Sequence, residues 1–288
     1  MTTTKKKAAK SVSSPEIIVV EEWRKWAALN PELLALIFVK IVPVDEMMKS
    51  VPLVCKGWLE VVAGPYCWSE VDVQGWCRRR NDSDAVDMVV KKVVRRSKCM
   101  LQRLFAYRVG ESGFFYLANC GKYLKELHIP MSVINDTMIQ KHMKPLPNLT
   151  VLDISNCFQI TAKGLAAFGN QCKSLVYLKR NMPYHNSSLP IDDSEVKSIA
   201  DTMPSLKTIE LTYGNFGDSG LHEIINKCKS LTHLDILGSW NVELDGDLLE
   251  ICEKLEYFQK PWTDFDSEFL ESEISESYDD EELGSYSD

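Results

Sequence analysis

Nine cysteines and five histidines are the residues of this 288-residue chain whose types could carry redox, metal or nucleophilic chemistry. Their spacing argues against all three. No two cysteines form a C-x-x-C pair, the usual arrangement of a zinc site or a redox dithiol. No histidine stands at a catalytic spacing from a carboxylate or cysteine, and H-E-x-x-H, G-x-S-x-G, Walker and G-x-G-x-x-G motifs are all absent. The expectation is a chain with no catalytic residue, no bound metal and no cofactor. Cys172, Cys228 and Cys252 each stand three residues before a leucine, with Cys120 offset by one, which marks a packing position rather than a nucleophile.

Charge and hydropathy narrow the function classes further. A 45% hydrophobic fraction can build a sizeable core, and no apolar run approaches the roughly 18–20 residues of a membrane span. The net charge of -8 is concentrated at the ends. Residues 264–288 hold eleven acids and no Lys or Arg, and residues 1–14 hold four lysines and no acids. The body between them is nearly neutral, which provides no broad field for nucleic acid or a membrane. Arg78, Arg79 and Arg80 precede a basic helix end, but no aromatic residues interleave with them along the chain, so no nucleic-acid partner is expected. The composition fits a soluble protein of the nucleus or cytoplasm, the Lys5-Lys6-Lys7-x-x-Lys10 run being either an import signal or a solubilising tail.

With chemistry set aside, what remains to be positioned are surfaces. From Trp23 to Trp68 the aromatics and aliphatics fall at helical spacing. Asn30 as N-cap, Pro31 at the first helical position and Glu32 in the first turn predict a helix ending before Pro43. Leu33, Leu34, Ile37, Phe38 and Ile41 form its stripe, yet Leu36 and Val39 make the other face apolar too, more than one small core can absorb. A second helical stretch follows Val51-Pro52, carries Leu53, Val54, Cys55, Trp58, Leu59 and Val62, and stops at Gly64-Pro65. These blocks resemble an F-box: Leu29-Asn30-Pro31-Glu32-Leu33-Leu34, then Ile37-Phe38, then Val51 to Trp58, then Trp68. Asn30 stands where the family usually has a proline, and Leu59 where Arg is common. The resemblance implies a three-helix module that binds a Skp-type adaptor through Leu29, Pro31, Leu33, Leu34, Ile37, Phe38, Leu53, Val54, Cys55 and Trp58.

Residues 82–97 read as an amphipathic helix capped by Asp82 or Ser83, with Val86, Val89, Val90, Val93 and Val94 inward. Beyond it, L-x-x-L/I/F recurs seven times: Leu101-x-x-Leu104, Leu124-x-x-Leu127, Leu149-x-x-Leu152, Leu175-x-x-Leu178, Leu206-x-x-Ile209, Leu231-x-x-Leu234 and Leu255-x-x-Phe258. Each block predicts a short strand, followed by a loop and a helix opening on a cap such as Thr161-x-x-Gly164 or Gly217-Asp218-x-Gly220. The pattern resembles cysteine-containing leucine-rich repeats, with Asn156-Cys157 matching the family's turn. The fourth unit departs from it, with Arg180 where an aliphatic is expected and an insertion at 181–190. Such a solenoid lines its concave side with strands, so the residues between the buried leucines face outward. The candidate target contacts are therefore Glu126, His128, Asp153, Tyr177, Lys179, Glu210, His233 and Asp235, together with Trp240 in a loop.

The expected architecture is α/β: a basic tail at 1–20, the F-box at 21–70, a connecting segment at 71–98, about seven irregular repeats at 99–262 and an acidic tail at 263–288, both tails disordered. An F-box followed by such repeats resembles the plant F-box/leucine-rich-repeat proteins. That resemblance implies the substrate receptor of an SCF-type ubiquitin ligase, joined by the adaptor to a cullin scaffold, with catalysis left to other subunits and a target of unknown identity. The alternatives are a small-ligand sensor or a scaffold outside any ligase.

Overall fold

A computed structural model describes residues 26, 29–80, 82–184 and 190–262. The two expected tails and residues 185–189 of the insertion lie outside the described residues. The chain divides into two compact units between Cys67 and Trp68. No described helix is long and apolar enough to cross a membrane.

In the first unit, α1 (Pro31–Ile41) starts where Asn30 Oδ1 accepts the Glu32 N–H at 2.8 Å, and it closes with the Val42 N–H on the Phe38 carbonyl just before Pro43. It buries Leu34, Ala35 and Phe38. A third helix, whose position the spacing did not mark, is α2 (Val44–Lys49), which follows immediately with Asp45 and Glu46 at its positive end and Lys49 at its negative end. The expected second stretch is split. A 3₁₀ turn covers Val51–Leu53, Cys55 is extended at φ -161° and ψ 168°, and α3 (Lys56–Ala63) begins after it, packing on α1 until Gly64. Phe38 meets Trp58 edge to face at 4.9 Å, a geometry that aligns the ring edge with the facing π cloud.

The second unit is one parallel sheet of eight strands in chain order. It begins with β1 (Glu70–Asp72), α4 (Gln74–Arg80) and α5 (Ser83–Arg96), then β2 (Arg103–Phe105) and α6 (Glu111–Cys120), β3 (Glu126–His128) and α7 (Asp136–His142). The units continue with β4 (Val151–Asp153) and α8 (Ala162–Gln171), β5 (Tyr177–Lys179) and α9 (Ser194–Thr202), β6 (Thr208–Glu210) and α10 (Asp218–Lys227), β7 (His233–Asp235) and α11 (Leu248–Cys252), and finally β8 (Tyr257–Gln259). The seven L-x-x-L blocks supply β2 to β8. β1 arises from a block the leucine pattern does not show, Trp68-x-x-Val71, in which both apolar positions are buried. Register is fixed by the middle residue of each strand: Val71, Leu104, Leu127, Leu152, Leu178, Ile209, Leu234 and Phe258 pair in one row across the sheet. Strand side chains alternate, so that row points into the core and its flanking residues point to the other face.

Neighbouring repeats are tied by more than the sheet. Asp87, in α5, is buried and accepts the Gly110 N–H at the start of α6 at 2.8 Å. Asp136 accepts the Thr161 N–H before α8, Asp193 the Gly217 N–H before α10, and Asp218 the N–H groups of Glu243, Leu244 and Asp245. Each carboxylate thus caps the next repeat, satisfying amides that a helix start leaves orphaned. Burial pushes the Asp87 carboxyl up, against the opposing pull of the Gly113, Gly110 and Ser112 amides. The glycine three residues after the cap now has a physical reason. A Cβ at Gly113, Gly164 or Gly220 would lie 2.4, 2.5 or 2.7 Å from the arriving aspartate oxygen. Gly113→Ala should therefore lower the urea midpoint, at a cost of about 1–3 kcal/mol from overpacking that outweighs the up to ~1 kcal/mol of alanine's helix propensity. A raised midpoint would contradict this account.

The fourth unit's departure is also explained. Arg180 is 2% exposed and fills the place of a buried aliphatic. Its five donors are engaged by Glu195 and by the carbonyls of Ile154, Cys157 and Ile160 at 2.8–3.5 Å. A buried guanidinium is tolerated here because every N–H is satisfied and one carboxylate balances the charge.

Candidate functional site

Two surfaces stand out, one on each unit. In the second unit, the first and third residues of each strand form two rows on the face of the sheet opposite the core. Arg103 bridges Glu126 at 2.8 Å and Glu70 at 3.4 Å, and Phe105 stacks on His128 at 4.3 Å. Lys179 pairs with Glu210 at 2.6 Å, and the same carboxylate accepts from the Tyr177 hydroxyl and from Asn181. Burial works against the charged Glu210, but Lys179 and Tyr177 outweigh it and hold the carboxyl below its ordinary range. Asp235 differs. Burial pushes its carboxyl up and Glu210 adds repulsion, against the opposing pull of the Leu237 N–H at 3.0 Å and of the Lys179 charge. His233 stacks on Tyr257 at 6.1 Å.

Two of the expected contacts are placed differently from their sequence reading. Asp153 was expected to face outward, but it is only 8% exposed. His128 Nδ1 lies 3.6 Å from one of its oxygens and the Ser155 N–H donates to the other at 3.0 Å. Despite the cost of burial, these bonds hold the Asp153 carboxyl below its usual range. It acts as a support for His128 rather than as open contact area. Trp240 is half-buried, not freely exposed. Glu126, His128, Tyr177, Lys179, Glu210, His233 and Asp235 are all half-buried on the strand face.

In the first unit the buried and exposed apolar residues separate. Leu34 and Phe38, expected among the adaptor contacts, are each 2% exposed and form the unit's own core. Pro31 and Leu33 are exposed, Leu53 is 84% exposed, and Val54 is open too, while Leu29, Ile37, Cys55 and Trp58 are half-buried. Trp26, Leu36, Ile41, Leu59 and Tyr66 are exposed as well, and the sequence reading left them off the contact set. The signal for Leu36 was in the sequence, since a helix apolar on both faces must show one to water. A cavity of about 360 Å³ lies beside α1 and α3, lined by residues that include Leu29, Pro31, Leu34, Gly57, Val61 and Tyr66.

Cys67, Cys157, Cys172, Cys228 and Cys252 are buried in the packing of the two units. Burial pushes the thiols of Cys67, Cys157, Cys228 and Cys252 up to about 11 and that of Cys172 up to about 12. Protonated thiols of this kind are inert. Among the described residues, no group of three or more His, Cys, Asp or Glu is placed to hold a metal ion. Cys172→Ser buries a hydroxyl in place of a 2% exposed thiol, so thermal melts should fall by the equivalent of about 1–3 kcal/mol while target binding is retained. Loss of function with an unchanged melt would instead mark Cys172 as reactive.

The third dimension adds contacts that the spacing along the chain does not show. Arg78 and Arg80 have aromatic neighbours: the Arg78 guanidinium lies over the Tyr107 ring at 5.0 Å and that of Arg80 over Trp76 at 5.6 Å.

Comparison with known proteins follows the same division. Residues 146–169 match the Leucine Rich repeat family model. F-box protein FBW2 of Arabidopsis thaliana is 36% identical over 227 residues, covering 78% of this chain and 71% of that protein. Putative F-box/LRR-repeat protein 23 of Arabidopsis thaliana is 28% identical over 252 residues, covering 84% of this chain and 54% of that protein. A chain in the crystal structure of the yeast Rad7 and Elc1 complex aligns at a TM-score of 0.41 and 14% identity, over 66% of this chain and 55% of that one. The chain thus spans about half the length of the latter two.

Proposed function

The chain belongs to the F-box/LRR-repeat proteins, and from that premise we propose that it is the target-recognition subunit of an SCF-type ubiquitin ligase. The first unit binds a Skp-type adaptor and, through it, a cullin scaffold, while the strand face of the second unit holds a target protein. Catalysis belongs to other subunits, and the receptor acts by raising the target's effective concentration beside the conjugating enzyme. The observation that carries this reading is the apolar surface of the first unit. Of 17 exposed large hydrophobic residues among the described ones, eight lie between Trp26 and Tyr66. Exposed large apolar residues concentrated in so short a stretch point to a protein partner. On the strand face, five acids (Glu70, Asp72, Glu126, Glu210 and Asp235) stand against Arg103 and Lys179, which favours a target with basic residues.

Co-purification of the full chain with a Skp-type adaptor tests the reading. A stoichiometric complex that survives gel filtration is expected. Two separate elution peaks at micromolar concentration would leave a repeat scaffold outside any ligase.

A further inference from the structure

Arg108 and two of the three arginines at the end of α4 stand over aromatic rings. Arg78 and Arg108 both place their guanidinium groups over the single ring of Tyr107, at 5.0 and 5.7 Å, and Arg80 lies over Trp76. Arg78, Arg79 and Arg80 are exposed. None of these four arginines forms an ion pair with a described residue. The nearest acid in sequence, Asp82, spends one oxygen on the N–H groups of Asp84 and Ala85 at the start of α5. Like charges drawn onto one aromatic ring without a carboxylate between them make a site for an anion, and stacked guanidiniums keep their outer N–H edges free to bind it.

The same sheet edge provides the anion. α4 follows β1 by one residue, and Tyr107 and Arg108 follow β2 by two and three. The C-terminal segment leaves β8 at Gln259. All eight strands are parallel and in order, so these three departures occur on one edge. Seven strand-to-strand steps separate the two ends, about 34 Å at the usual spacing. The 25 residues of 264–288 reach about 85 Å when extended and have a root-mean-square span of about 27 Å as a coil. They carry eleven acids and no Lys or Arg.

We infer that the acidic segment 264–288 docks on the Arg78–Arg79–Arg80 and Arg108 cluster of its own chain. The contact lies outside both surfaces assigned above and joins the two ends of the repeat array. Because it is intramolecular, it operates at an effective concentration of the order of millimolar without any tight local fit. It also leaves the cluster open to an acidic competitor.

The test uses a fluorescent peptide of residues 264–288 and three full-length chains. These are the wild type, a chain whose eleven tail acids are replaced by their amides, and that second chain with Arg78→Gln, Arg79→Gln and Arg80→Gln added. The amide-tail chain should bind the peptide at least tenfold more tightly than the wild type, whose own tail occupies the cluster. The arginine substitutions should abolish this binding, as should about 1 M salt, where screening acts over about 3 Å. The exposed positions of the arginines leave the fold intact, which thermal melts of all three chains check. Equal peptide affinity for the wild type and the amide-tail chain would overturn the inference, and so would binding that survives the arginine changes. Concentration-dependent self-association of the wild type, lost in the amide-tail chain, would assign the tail to a second copy and overturn the contact in cis. A single-stranded RNA of matched charge that binds the wild type as tightly as the amide-tail chain would show an unoccupied nucleic-acid surface and overturn it as well.

Discussion

Replacing Leu152 with Asp is expected to unfold the middle of the repeat sheet. Leu152 is completely buried and sits in register between Leu127 on β3 and Leu178 on β5, in the row that every repeat contributes to the core. A carboxylate there loses water and gains no donor, because both neighbours in its row are apolar. The substitution removes the leucine's transfer energy and adds the cost of burying an unpaired ionisable group, together several kcal/mol. A domain stable by about 5–15 kcal/mol cannot absorb that locally. Since each repeat leans only on its neighbours, the loss should split one cooperative urea transition into two, with hydrogen exchange rising first around β3 to β5. Glu126→Gln, on the adjacent strand's outer face, is the control and should leave the transition single. An unchanged midpoint for Leu152→Asp would mean that this row is not the continuous core described above.

The repeat architecture was legible because its signal is periodic. A leucine every two to three dozen residues announces a strand, and the cap motifs announce the helices, so β2 to β8 fall where the leucines stand. β1 was hidden because its block uses Trp68 and Val71, residues that also suit the end of an F-box and break the leucine pattern. α2 was hidden because Val44–Lys49 is only six residues long, too short to show a periodicity. Side-chain placement was less legible than backbone. Alternation places the flanking strand residues on the face opposite the core, but burial on that face depends on neighbouring strands. Asp153 is covered because His128, 25 residues earlier in the chain, folds over it. Arg180 was visible as a departure from the pattern, but its role was not, since it rests on three carbonyls of the preceding repeat. The arginine and aromatic cluster needs Tyr107 brought against α4, which no reading along the chain supplies.

The adaptor contact separates surface from core most sharply. The sequence alone would nominate Pro31 and Leu34 for removal, but Leu34 is 2% exposed and belongs to the packing of α1 on α3. Leu34→Ala should cost about 2–5 kcal/mol of the first unit's stability, so any loss of adaptor binding would be indirect. Leu33→Asp combined with Leu53→Asp is the direct test. These side chains are 54% and 84% exposed, so the charges enter water in the free chain and the thermal transition should not move. In the complex, the same charges would be pressed against an apolar partner surface. Truncating one central anchor of an interface commonly costs more than about 2 kcal/mol, and placing two unpaired charges there should weaken binding at least a hundredfold. The pair of experiments is therefore diagnostic by contrast: the aspartate variant loses the adaptor with an unchanged melt, whereas the Leu34→Ala variant lowers the melt first. If the aspartate variant binds as tightly as the wild type, the open leucines of α1 and the following turn are not the contact, and the adaptor would have to engage another face of the unit.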